Sequence, residues 1–380
     1  SSAAQMCIRD RDNMAILNVK DIFHDLHQIP EIGFQEFKTS AYLADKLREL
    51  GYKVTTNVGG TGVVGVVKGA EPGPVMLLRA DMDALPFVIN GEHKAIHACG
   101  HDAHCSMVLA AASNLKDKIK KGTLKILFQQ GEETLKGALA VIDAGVLKDV
   151  DIAVGLHIRP VQDLPFGKLS PAVRHASSTF AKVKITGQSC HGSRPHLGVN
   201  AVEAAAAVIN AASGVRINPV ISWSCKATAV NGGGSAYNII PDHAEITFDV
   251  RCQENEGMTE LLGKLQKAAE NVAAAYGATA EFSLPGGVIP AAVLDKELTA
   301  EVAECIKEVV GEENLGEELV NPGGEDFHYF AKTYPKLKSA YFGVGVAAEP
   351  GLHDPNMHFN IDGLQAGVEV LEKITLKKLG

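Results

Sequence analysis

No run of apolar residues in this 380-residue chain reaches the roughly 20 needed to cross a bilayer. Positive charge is the minority sign, with 36 Lys and Arg against 45 Asp and Glu and a net charge of −9. No basic stripe and no interleaving of basic with aromatic residues is present, so neither nucleic acid nor a membrane is expected as a partner. The Lys-rich stretch from Lys116 to Lys125 reads as a solvated helix end and turn. Residues 1–13 lack the apolar core of a signal peptide and lead into no pattern; they read as a non-native extension, with Met14 as the native start. Framework spacing is missing as well. Seven scattered cysteines, an odd count, indicate free thiols in a reducing compartment, and hence a cytoplasmic protein. The absence of a Gly-x-Ser-x-Gly elbow argues against a serine hydrolase.

What is present is a composition of 46% hydrophobic and 21% charged residues, that of a globular protein, in a chain long enough for two domains. The densest chemistry lies between Ile96 and Cys105, where His97, Cys99, His101, Asp102, His104 and Cys105 precede the apolar run Met107 to Ala112, which reads as a buried helix. Thiolate and imidazole suit borderline-soft divalent metals, and Cys99 and His101 are close enough to hold one site from a turn. Any one of these residues alone would read as a core cysteine or a helix cap. The cluster reads as part of a metal site and requires ligands from elsewhere.

The chain opens with two amphipathic helices, Val19 to Gln28 and Glu36 to Leu50, separated by Pro30. His24 and His27 on the first read as helix residues without chemistry. Paired strands Tyr52 to Val58 and Gly62 to Lys68 follow. Gly60-Thr61-Gly62-Val63-Val64-Gly65 matches the dinucleotide fingerprint literally, but β-branched residues follow where a helix must open, so nucleotide binding is rejected. Four apolar strands then each lead to a polar cluster. Val75 to Arg79 leads to Asp81 and Asp83, Leu124 to Gln129 to Glu132-Glu133, Asp151 to Leu156 to His157, and Ala340 to Val346 toward His353. Helices lie between the early ones (His104 to Leu115, Lys136 to Ala144), which indicates a sheet covered on both faces with its site beyond the strand ends.

The middle of the chain has the order β-α-β-β-α-β of a ferredoxin-like unit: Thr179 to Gly187, Asn200 to Arg216, Ile221 to Val230, Ala244 to Cys252, Met258 to Tyr276 and Ala278 to Leu284. Its flanks, Pro160 to Pro171 and Pro285-Gly286-Gly287, read as hinges. Leu294 to Val310 and Gly363 to Leu379 return as helices. The fold class is therefore α/β with an inserted α+β domain, the larger domain comprising 14–175 and 288–380 and the insert 176–287.

Collecting the polar strand ends gives Cys99, His101, Glu133, His157 and His353, more ligands than one tetrahedral zinc needs and suited to two divalent ions sharing a bridging group. Glu132 and Glu133 are adjacent and cannot both face one ion in the same way. One can ligate while the other accepts a proton from a metal-activated water. Alone, the pair would read as an acidic helix N-terminus.

Arg79-Ala-Asp81-Met-Asp83-Ala-Leu-Pro86, His97-Ala-Cys99-Gly-His101-Asp102-Ala-His104, Gly131-Glu132-Glu133, Gly155-Leu-His157, Asn238-Ile-Ile-Pro241-Asp242, Gly323-Gly-Glu325-Asp326-Phe327 and Leu352-His353-Asp-Pro355 together resemble the co-catalytic metallo-aminoacylase and carboxypeptidase family. They are most similar to its amidohydrolase branch of hippurate hydrolases, indole-acetyl-amino-acid hydrolases and N-acyl-amino-acid deacylases. The likeness covers the chain from about Val19 onward and departs at Gln130-Gly131 and Ser189-Cys190. It implies a three-layer α/β/α catalytic domain with an inserted ferredoxin-like lid domain that dimerises. It implies that Cys99, His101, Glu133, His157 and His353 bind two divalent ions (zinc, manganese, cobalt or nickel) and that Glu132 is the general base. It implies His191 as the lid histidine that stabilises the oxyanion, Asn238, Arg251 and Gly324 as substrate contacts, and Asp81 and Asp83 as groups that orient the ligand imidazoles. The expected reaction is hydrolysis of the amide bond of an N-acyl amino acid by a metal-activated hydroxide. Two alternatives stand beside it: a dipeptidase or carboxypeptidase on the same scaffold, and a thiol-redox or idle metal-binding protein built on Cys99 and Cys105.

Overall fold

The computed structural model describes residues 17–380, so the expected extension at 1–13 lies outside the described residues. The chain divides into two units, the first reaching Val173 and resuming over Val293–Leu319 and Asp326–Gly380, the second formed by Arg174–Ala292 with Val320–Glu325. These limits differ from 175/176 and 287/288, and the short return through Val320–Glu325 was not foreseen.

In chain order the elements begin with helices α1 (Val19–His27) and α2 (Phe37–Glu49) and strands β1 (Lys53–Val58), β2 (Gly62–Lys68) and β3 (Glu71–Asp81). Strands β4 (Leu85–Ile89) and β5 (Glu92–Ile96), helix α3 (His101–Leu115), β6 (Lys121–Gln129), α4 (Gly137–Asp143), β7 (Ile152–Pro160) and β8 (Leu169–Ser170) follow. Next come β9 (Val173–His175), β10 (Ser177–Thr186), β11 (Cys190–His191), α5 (Ala201–Ala212), β12 (Trp223–Gly232), β13 (Ile239–Ile240), β14 (His243–Cys252), α6 (Asn255–Ala275) and β15 (Thr279–Ser283). The chain closes with α7 (Lys296–Val310), β16 (Leu319–Asn321), α8 (Tyr329–Thr333), β17 (Lys338–Ala348) and α9 (Leu364–Leu379).

The first unit is built on a seven-stranded sheet in the order β1-β2-β6-β3-β7-β17-β8. Its four central strands β6, β3, β7 and β17 are mutually parallel. Along them the side chains alternate between two apolar clusters. Met76, Leu78, Ile126, Phe128 and Phe342 join α1, α2, α3, α7 and α9 on one face, while Leu77, Leu127 and Tyr341 join α4 and α8 on the other. Both faces are thus covered, which is why these strands read as continuous apolar runs rather than alternating ones. Helix α3 is buried over all but one of its 15 residues, so it carries no solvated face. Parallel pairing brings the carboxyl ends of β3, β6 and β7 to one edge of the sheet, and the site forms there.

Several local expectations change. Helix α3 begins at His101, not His104, so His101 and His104 are both helical and share a face. Pro72-Gly73-Pro74, which local chemistry reads as punctuation between elements, lies inside β3, where the pairing with β6 is irregular between Glu71 and Val75 and ladder donors are dispensable. Lys121 and Lys125 belong to β6, not to a solvated turn. The stretch Pro160 to Pro171 is no hinge, because Leu169 and Ser170 pair antiparallel with Val344 and Gly343 at the sheet edge. The hairpin of β4 and β5 was not anticipated, although its turn is Asn90-Gly91, both at positive φ, the pair a two-residue hairpin turn favours.

The second unit holds a four-stranded antiparallel sheet in the order β12-β14-β10-β15. Ala181, Val183 and Ile185 of β10 and Ile246, Phe248 and Val250 of β14 point to one face, under α5 and α6. Asn200 caps α5 by accepting from the amides of Val202 and Glu203, and the alanines of that helix allow close packing.

Candidate metal centre

Gly100 is the residue that makes the first pair of donors possible. Its φ is +83°, and a Cβ there would lie 2.2 Å from Ile158 Cδ1, so only glycine fits the turn that faces Cys99 and His101 toward a common point. Cys99 Sγ lies 3.4 Å from His157 Nε2. The imidazole of His157 donates from Nδ1 to the Ile158 carbonyl, which leaves Nε2 facing the thiol. His101 donates from Nδ1 to Asp83 Oδ1 at 3.1 Å, and its Nε2 lies 3.8 Å from Glu133 Oε1 and 4.0 Å from Glu132 Oε2. His353 Nε2 stands 3.3 Å from Glu133 Oε1. Its backbone, at φ +67°, is fixed by its N–H, which donates a hydrogen bond to the Ala98 carbonyl and ties a distant loop to the Cys99 segment.

The donor atoms fall into two overlapping sets. Cys99, His101 and His157 lie within 4.8 Å of one another, as do Cys99, Glu133 and His353. Cys99 belongs to both. His101 Nε2 is buried without a hydrogen-bond partner, a costly arrangement for a polar atom unless an ion satisfies it. Sulfur, imidazole nitrogen and carboxylate oxygen around this buried orphaned atom fit divalent metals of the zinc type.

Asp81, His101 and His104 also cluster, but His104 is fully used: Nδ1 donates to Asp81 Oδ1 at 2.6 Å and Nε2 accepts from the Ile158 amide at 3.0 Å. Asp81 also accepts from Arg79 Nη1 at 2.7 Å, and Arg79 spans to Asp326 at the same distance. Asp83 accepts from His101 and from the amides of Glu132 (3.2 Å) and Glu133 (3.0 Å), so its two oxygens set both the imidazole and the carboxylate loop. Both aspartates therefore orient neighbours. Cys105 donates to the Asp81 carbonyl, and both it and Cys99 are free thiols.

Electrostatics match the geometry. Burial pushes the Cys99 thiol up to about 12, with Glu133 adding to the effect. Burial opposes ionisation of Asp81, yet His101, Arg79 and His104 outweigh it and hold the carboxyl well below the usual range. Burial would lower His101, but Asp81, with Cys99 and Asp83 beside it, raises it well above an ordinary histidine. His157 is driven well down by burial, with His104 and Arg159 contributing, and stays neutral. Glu133 resists burial through His353 and His101 and stays a carboxylate.

The remaining predicted residues lie in the second unit and form two separate groups. His191 in β11 is exposed; its Nδ1 accepts from the Ser193 amide at 3.1 Å, which places the proton of a neutral ring on Nε2. Gly192 donates to the Asn238 carbonyl at 2.7 Å, and β11 pairs with β13, so His191 and Asn238 are neighbours. Arg251 donates to the Pro322 carbonyl at 2.8 Å and faces Ser178 across the sheet; a Cβ on Gly324 would meet Ser178 Oγ at 3.0 Å. Arg251 and Gly324 thus gather near the start of β10, whereas His191 follows its other end.

Two residues near the centre escaped the sequence reading. His27, read as a bystander, pairs through Nδ1 with Asp102 Oδ2 at 2.6 Å, and Glu36, read as a helix start, takes the Gly131 amide at 2.9 Å. Each contact joins segments 75 or more residues apart, and no local pattern signals it.

A family model described as Peptidase family M20/M25/M40 matches residues 77–377. The chain belongs to this family. It is 34% identical over 378 residues to an IAA-amino acid hydrolase ILR1-like 2 of Arabidopsis thaliana, covering 93% of this chain and 83% of that protein. It is 33% identical over 377 residues to a hippurate hydrolase of Campylobacter jejuni, covering 94% and 96%. The solved structure of the YXEP protein of Bacillus subtilis, a dinuclear metal-binding peptidase of the M20 family, superimposes with a TM-score of 0.77 at 27% identity over 95% of this chain and 97% of that one. The expected amidohydrolase resemblance and the two-domain α/β fold therefore both stand, and the chain is a hydrolase of amide bonds in a metal-dependent family.

Proposed function

We propose that the protein hydrolyses N-acyl amino acids, releasing a carboxylic acid and an amino acid. The observation that carries this reading is Cys99, common to the two donor sets, with Glu132 beside both. In this reading Cys99, His101, Glu133, His157 and His353 would hold two divalent ions, zinc, manganese, cobalt or nickel. Ions bound there polarise the amide carbonyl and bring the pKa of water toward neutrality, to roughly 7 in the best zinc sites.

The chain's own residues supply the rest. Glu132 accepts the proton of the attacking water and delivers it to the departing amine nitrogen. Asp83 keeps Glu132 in place by holding its backbone amide, and keeps the His101 ring oriented. His191 donates from Nε2 to the developing oxyanion. Asn238, Arg251 and Gly324 receive the substrate carboxylate and the scissile carbonyl.

The second unit acts in this reading as a lid and as the surface of a homodimer. Support comes from its sheet: Ser178, opposite Arg251, and Thr186, where β10 ends, are eight residues apart, about 26 Å at strand rise. In this reading Arg251 and His191 of one subunit serve different substrate molecules, and a second subunit supplies the missing group. A cytoplasmic location is supported by the free thiols of all six described cysteines. Among the described residues no helix is long and apolar enough to cross a membrane.

The test is metal analysis of the purified protein together with a panel of N-acetyl amino acids, N-benzoyl amino acids and dipeptides. Metal-dependent cleavage of the acylated amino acids is expected. Cleavage of dipeptides alone would move the assignment to a peptidase.

A further inference from the structure

Glu36 stands at the N-cap of α2 and caps nothing. The first amides of that helix are taken by Glu31, which accepts from Lys38 and Thr39 at 2.9 Å each. Glu36 is instead fully buried, with Oε1 accepting from the Gly131 amide at 2.9 Å and Oε2 from the Thr61 hydroxyl at 2.5 Å. Burial pushes this carboxyl up, and the Thr61 and Gly131 bonds oppose it. Burying a carboxylate is expensive, and helix capping does not account for it here.

Its surroundings converge on one loop. Gly131 has φ +60°, and a Cβ there would lie 2.5 Å from the Phe34 ring. Phe34 itself sits at φ +64°, a strained conformation for a bulky side chain. Gln130 donates to the Gly59 carbonyl at 2.8 Å, and a Cβ on Gly62 would collide with Gln130 Oε1 at 2.5 Å. Gly62, in the run that imitates a nucleotide fingerprint, therefore lets the β1–β2 turn pack against the Gln130 side chain, next to Gly131. Three successive amides are held by carboxylates: Gly131 by Glu36, and Glu132 and Glu133 by Asp83.

We propose that Glu36, backed by Thr61, is a positioning residue that fixes the Gly131 amide and so aims the Glu132 carboxyl at the reacting water. This rests on Glu132 being the proton acceptor. Glu36 touches no substrate; it acts through the loop, where a displacement of about 1 Å can cost up to about 100-fold in rate.

The experiment uses the full chain loaded with manganese or zinc, with N-acetyl and N-benzoyl amino acids as substrates. Glu36→Ala is expected to lower kcat by about tenfold to 100-fold, with KM within about twofold and metal content unchanged. Glu36→Gln keeps an acceptor for Gly131 and a polar partner for Thr61, and should recover most of the rate. Thr61→Val should lose severalfold. On a Glu132→Gln background Glu36→Ala should cost nothing further, because the two act as one unit. The same loss in both backgrounds, or Glu36→Gln as slow as Glu36→Ala, would overturn the proposal. Should Glu36→Ala fail to fold, the cycle is run with Thr61→Val, and additivity there overturns it equally. A dead Glu132→Gln beside an unimpaired Glu36→Ala sinks the proposal alone; wild-type turnover in Glu132→Gln sinks the reading beneath it as well.

Discussion

In the proposed reaction, Glu132 and Cys99 are the residues on which chemistry turns. Replacing Glu132 by Gln preserves shape and removes the proposed proton acceptor. Turnover is expected to fall by about 10²–10⁴-fold, while metal content measured by elemental analysis stays that of the parent. A near-normal rate would take Glu132 out of the reaction. Cys99 gives the pH dependence its sign. Its thiol lies at about 12 before an ion binds, so ligation as thiolate must release a proton at neutral pH. Metal affinity should rise by at least about tenfold per pH unit between pH 6 and 8, as each released proton contributes that factor. Chelator competition at several pH values measures it, and a flat profile would mean that the thiol keeps its proton.

Among the elements, the turn from Cys99 into α3 does most to set the centre. Gly100→Ala places a Cβ at positive φ and against Ile158. We expect a loss of about 2–4 kcal/mol in stability, from left-handed strain and overpacking together. Reduced metal content should accompany it, because the same turn aims both Cys99 and His101. Denaturant unfolding and elemental analysis of one preparation check both. If stability falls and metal content does not, the donors are held by α3 and Asp83 rather than by the turn. The β4–β5 hairpin teaches a different lesson. Its Asn90-Gly91 signal was in plain view in the sequence, whereas the edge strand β8 hides in a Pro- and Gly-rich stretch that local chemistry reads as a hinge.

At the scale of the whole molecule, the proposed homodimer, in which Arg251 and His191 serve one substrate from different subunits, has a direct test. Glu132→Gln and His191→Ala should each be inactive alone. Mixed, dissociated and reassociated, they should recover about a quarter of wild-type activity, since half the dimers are mixed and each carries one intact site. A mixture that stays inactive would show that each subunit completes its own site.

The sequence by itself determined the alternation of buried strands and helices, the inserted β-α-β-β-α-β segment and the five candidate ligands, because side-chain periodicity and ligand chemistry are local properties of the chain. Only the tertiary structure decided which donors face one another. It spent both nitrogens of His104 on Asp81 and Ile158, gave Cys99 to two donor sets, and brought Glu36 and Thr61 to the carboxylate loop. Such contacts join residues tens to hundreds of positions apart, and their partners are fixed by how the sheet brings its strand ends together, not by any spacing along the chain.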